Sequence, residues 1–71
     1  MEVNYLISKF GFSRKKSRAV IYLMENGFQI IFGFGGEIEA VIDKADNSII
    51  TGDSLFNYPT DIKNNLLNLV E

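Results

Sequence analysis

Six consecutive residues, Ser13-Arg14-Lys15-Lys16-Ser17-Arg18, hold the strongest chemical signal in this 71-residue chain. Four cations crowd the predicted first turns of a helix whose N-cap is Ser13, while Glu25 stands at its far end. A helix dipole prefers the opposite, anions at the N-terminus and cations at the C-terminus, by about 0.3–1 kcal/mol each. Departures of this kind collect at functional sites. They point to an anion received at the helix start by backbone N–H groups, Ser13 and the side chains of Arg14, Lys15, Lys16 and Arg18. Nucleic-acid phosphate is the obvious such anion. The plainer alternative is that these long side chains splay into water or pair with acidic residues elsewhere.

Other chemistry is thinly provided. The chain has no His and no Cys, which removes the commonest general base near neutral pH and the commonest low-pKa nucleophile. Glu37 and Glu39, two apart on a predicted strand, make a carboxylate pair for acid/base work or a hard metal, or more simply a solvated strand face. A calcium loop at Asp43 fails by pattern, with Ala45 at the third position, Ser48 at the sixth and no Glu at the twelfth. Gly33, Gly35 and Gly36 lack the spacing of a phosphate-binding loop and precede a strand instead of a helix. The expectation is a protein without catalytic residues, metal or cofactor.

Aromatic residues are the second resource. Phe32, Phe34, Phe56 and Tyr58 are the candidate anchors for a protein partner, because interface centres use rings set in a polar rim. The leading expectation is therefore a small regulatory or inhibitory module that docks on a larger protein. Binding of nucleic acid through the basic helix start is the alternative. Homodimerisation through an open sheet edge or an uncovered sheet face is a variant of the first.

The elements that position these residues are read from periodicity. Val3, Leu6, Ile7 and Phe10 predict a short amphipathic helix that ends at Gly11, and Val20, Ile21, Leu23 and Met24 predict the inner face of a second helix. Asn26-Gly27 closes that helix. Phe28, Ile30, Phe32 and Phe34 share one strand parity, and Ile38, Ala40 and Ile42 alternate with Glu37, Glu39 and Asp43 in a second strand. A tight turn at Gly35-Gly36, with both residues at positive φ, is expected between them. A third strand, Ser48 to Thr51, follows the Lys44–Asn47 turn, and Gly52 to Tyr58 is irregular. Pro59 or Thr60 starts a last helix that runs to the C-terminus with Ile62, Leu66, Leu67 and Val70 inward. The fold class is α+β: a three-stranded antiparallel meander with two N-terminal helices and one C-terminal helix on one face, the other face bearing the carboxylates and wetted.

Length and composition suit one small domain, residues 1–71, with a core near the lower limit for independent stability. Hydrophobic content of 46% with 23% charge is globular, and the longest apolar and glycine run, Ile30 to Gly36, is far too short to span a bilayer. No cysteine and no signal-peptide pattern predict a cytoplasmic protein. Net charge is −2, yet residues 1–18 carry +4 and the remainder −6, a basic end on an acidic body.

From Ser13 onward the order α-β-β-β-α, over about four-fifths of the chain, is similar to that of double-stranded-RNA-binding domains. That family uses a lysine-rich start to its last helix. Here the stretch reads Thr60-Asp61-Ile62-Lys63-Asn64, so the resemblance is one of topology and carries no site residue with it.

Overall fold

Local capping chemistry divides the N-terminal third into two helices. The computed structural model, which describes residues 2–70, places α1 over Val3–Phe10 and α2 over Arg14–Glu25. Gly11 ends α1 in the left-handed conformation (φ 72°), its N–H donating to the Ile7 carbonyl, a position that costs glycine little. Ser13 then caps α2: its hydroxyl accepts from the Lys16 N–H at 3.0 Å. Ser17, fully buried, donates its hydroxyl back to the Ser13 carbonyl at 2.9 Å, so the one polar side chain buried among the described residues is satisfied.

Three strands follow, β1 (Phe28–Phe32), β2 (Ile38–Asp43) and β3 (Ser48–Ile49), paired antiparallel in sequence order. A 3-10 turn over Asp53–Asn57 leads to α3 (Thr60–Asn68). The architecture is the expected α-α-β-β-β-α. α2 packs on β1 and is flanked by α1 and α3. Leu6 of α1, Val20 and Leu23 of α2, Phe28 and Ile30 of β1, Val41 of β2 and Ile62 and Leu66 of α3 meet in the core.

Several expectations are corrected. The β1–β2 connection is not a two-residue turn: the Gly33 N–H donates to the Glu37 carbonyl at 2.7 Å, and only Gly36 among the turn glycines has positive φ (85°). Ile31 lies opposite Ala40 but Phe32 opposite Ile38, so Glu39 is an extra residue, a bulge in β2. A one-residue offset exchanges faces. Ile38 therefore joins Val41 toward the helices, and Asp43 shares that parity opposite Phe28. The second face, expected to bear Glu37, Glu39 and Asp43, presents Ile31, Ala40, Ile42 and Ile49, with Gln29, and keeps Glu37 and Glu39 only at its hairpin end.

The remaining differences are at the ends of elements. β3 is two residues long, ending at Ile49. The α3 stripe is Ile62, Leu66 and Leu69, whereas Leu67 and Val70 are exposed, and the helix stops at Asn68 because its last turn tightens, Leu69 N–H reaching the Leu66 carbonyl. The expected extension to Glu71 lies outside the described residues. In α2, Met24 is exposed and Ala19 takes an inner place.

Candidate binding surfaces

The basic start of α2 and the glycine hairpin meet at one end of the molecule. Phe10, Phe12, Ser13 and Lys16 on one side and Gly35, Gly36 and Glu37 on the other line an open cleft of about 410 Å³. Non-local ring packing brings them together. Phe10 stacks on Phe32 with centroids 5.0 Å apart, and Phe12 packs on both, at 5.4 Å from Phe10 and 6.1 Å from Phe32. Phe10 also lies against the Gly36 α-carbon so closely that an added Cβ there would sit 2.5 Å from Phe10 Cδ1.

The cations differ in their surroundings. Lys16 holds its ammonium 4.4 Å from the Phe12 ring centroid, a cation–π contact. Arg14 and Arg18, one helical turn apart and both exposed, form no ion pair among the described residues. Lys15 is exposed and engaged in an interaction of its own. Ser13 has its hydroxyl committed to the Lys16 N–H. At least two cations at this helix start are thus not neutralised among the described residues.

The four aromatic candidates separate into two pairs. Phe32 is half-buried in the ring stack, and Tyr58 lies edge-on to Phe28 at 5.5 Å with its hydroxyl donating to Asp43 Oδ2 at 2.8 Å. Desolvation, then the Asp43 carboxylate, push the Tyr58 phenol up to about 12. Phe34 and Phe56 are exposed. Phe34 sits in the hairpin turn beside the cleft, and Phe56 belongs to the 3-10 turn, which packs on α3. Tyr58 lies at the opposite end of the sheet from Phe34, because Asp43 pairs with Phe28.

Glu37 and Glu39 do converge. A Cβ on Gly33 would overlap Glu37 Oε1 and lie 2.8 Å from Glu39 Oε1, so the glycine makes room for both carboxylates. No third His, Cys, Asp or Glu joins them among the described residues in a group able to hold a metal ion. Comparison of the chain with protein-family models, with curated proteins and with solved structures finds no match. No helix among the described residues is long and apolar enough to cross a membrane.

Sequence reasoning missed Phe10 and Phe12 as the brace of this end. Their signal was present: two rings flanking a glycine that must turn left-handed are thrown to the same side of the α1–α2 corner. An apolar groove of about 280 Å³ was also missed, between β2 and the end of α3, where Leu67 and Val70 face Ile38 and Leu55. It arises because β3 is too short to cover the Ile38 end of β2.

Proposed function

We propose that this chain is a non-enzymatic regulatory or inhibitory module that docks on a larger protein in the cytoplasm, through the end that carries Phe34. The observation that supports this reading is Phe34 itself: a wholly exposed ring on a turn braced by the Phe10–Phe32 stack. Burying one such side chain contributes roughly 2 kcal/mol. Because the turn is held by the Gly33–Glu37 hydrogen bond and by Phe10, little further ordering is needed on binding. Lys16, which lines the cleft beside this turn, favours a partner with an apolar pocket and an acidic rim.

The test is capture from a lysate of the source cells with wild-type protein, Phe34→Ser and Phe56→Ser. A discrete partner lost with Phe34→Ser and kept with Phe56→Ser supports the reading. The same partners on all three would discard it.

A second reading, binding of nucleic acid, is favoured by Arg14 and Arg18, which form no ion pair among the described residues, at a helix start whose Ser13 and Lys16 line the cleft. Phosphate-driven binding weakens linearly in log–log form with salt, with a slope of about −0.9 per phosphate neutralised on duplex DNA. Arg14→Glu/Arg18→Glu would flatten that slope. Absence of binding to duplex DNA, duplex RNA or single strands at low salt removes the second reading.

A further inference from the structure

The uncovered sheet face has an uncharged centre and charged ends of opposite sign. Ile31 and Ala40 are directly opposed, as are Ile42 and Ile49, and Gln29 faces Ile42. None of these residues packs against the core, and Ile49 is 62% exposed. At the hairpin end of this face stand Glu37 and Glu39, gathered over Gly33, which follows Ile31 at the same parity. At the other end the Lys44 N–H donates to the Gly27 carbonyl at 3.0 Å, extending the β1–β2 ladder by one pair and setting Lys44 on the parity of Ile42. Asp46, in the same turn, is turned back on Ser48, accepting from its N–H at 3.0 Å and its hydroxyl at 2.6 Å.

We propose that this face is the interface with a second copy of the chain, related by a two-fold axis between the sheets and perpendicular to the strands. Symmetry then sets the Glu37 and Glu39 end of each copy against Lys44 of the other. An isologous interface must complement itself. A neutral apolar centre does so without repulsion, and an acid end with a basic end does so once one copy is reversed. Sheets packed in this way lie about 10 Å apart with strands nearly aligned. Three short strands at ~4.8 Å spacing and ~3.3 Å per residue give a footprint of roughly 15 × 15 Å. That is well short of the roughly 800 Å² per partner of a tight complex, so the association is a weak one, sensitive to the charged ends. The two Phe34 turns then lie at opposite poles of the dimer, free for the docking proposed above.

Light scattering and sedimentation over about 5 to 500 µM protein test this directly. The expected mass rises from 8.0 kDa toward twice that value with concentration. Ile42→Lys is expected to hold the monomer mass throughout, with an unchanged circular dichroism spectrum reporting that it folds. Lys44→Glu, or Glu37→Lys with Glu39→Lys, weakens association about tenfold, and combining all three restores it, since rim charges juxtaposed with like charges repel. A wild-type monomer at every concentration overturns the proposal and leaves the face to a foreign partner. A dimer indifferent to Ile42→Lys, or failure of the combined variant to recover, overturns it as well.

Discussion

Tyr58 donates its hydroxyl to Asp43 across fifteen residues of chain, tying the segment that follows β3 to the end of β2. The bond closes the side of the core where β3 supplies only two residues. Tyr58→Phe keeps the ring on Phe28 and deletes the bond, which is expected to cost about 1.5–3 kcal/mol, the range for hydrogen bonds to a charged group. The pH dependence has a definite sign. The folded phenol titrates near 12 against an ordinary 10.0, so its contribution is complete below pH 10 and disappears as pH rises through the folded value. Urea midpoints of wild type and Tyr58→Phe, compared at pH 8 and pH 11.5, are expected to converge at the higher pH; a constant gap would show that the phenol proton is not involved.

Gly35 and Gly36 are adjacent, yet their substitution is expected to have unequal cost. Gly36 holds φ at 85° and its Cβ would strike the Phe10 ring, whereas the Cβ of Gly35 would meet only the mobile end of Glu37 at 2.9 Å. Gly36→Ala combines left-handed strain with displacement of the ring that braces the hairpin, and is expected to cost about 2–3 kcal/mol. Gly35→Ala should stay within about 1 kcal/mol. Thermal unfolding of the two variants measures the difference; equal losses would mean that the Phe10 contact does not hold the turn.

Much of the fold was legible because much of it is local. Gly11 and Gly27 as helix ends, Ser13 as a cap and the parity of Phe28, Ile30 and Phe32 each rest on chemistry within a few residues. The bulge at Glu39 was not legible. It depends on how the Gly33–Glu37 turn closes, and one extra residue keeps Ile38 on the helix side, as expected, while moving Asp43 there and placing Ala40 and Ile42 with Ile31 and Ile49 on the other. The α3 stripe failed for a different reason: Leu66, Leu67, Leu69 and Val70 satisfy helical spacing in two phases, and only packing against α2 selects Leu66 and Leu69. The basic cluster could be read directly, but its meeting with the glycine turn could not, since it depends on Phe10 lying across Gly36.

Tyr22 and Asp61 form the second phenol–carboxylate pair, with the Tyr22 hydroxyl donating to Asp61 Oδ2 and so linking α2 to the start of α3. The Tyr22 hydrogen bond is the largest cause holding the Asp61 carboxyl below its ordinary value. A depressed carboxyl contributes stability above the unfolded value of 3.8 and loses it as pH falls through the folded one. Asp61→Asn is therefore expected to be less stable than wild type at pH 7, and the gap should close in acid. Acid titrations followed by circular dichroism check this. The control is Tyr22→Phe, which should reproduce the effect if the hydroxyl is its source.

The phase of α3 has the sharpest test in two neighbouring leucines. Leu66 is 6% exposed in the core beside α2, and Leu67 is 45% exposed on the rim of the groove against β2. Truncating a buried leucine removes its transfer energy and leaves a cavity, so Leu66→Ala is expected to cost about 3 kcal/mol. For a chain of this size total stability is roughly 4–10 kcal/mol, and that loss lowers the urea midpoint by a third or more. Leu67→Ala removes a half-wetted side chain and should cost less than about 1 kcal/mol. If Leu67→Ala is the more damaging of the two, α3 is rotated from the arrangement described and the groove beneath it is closed. A large loss at Leu66 with a small one at Leu67 fixes the phase of α3 and leaves Leu67 and Val70 on the groove surface, outside the core.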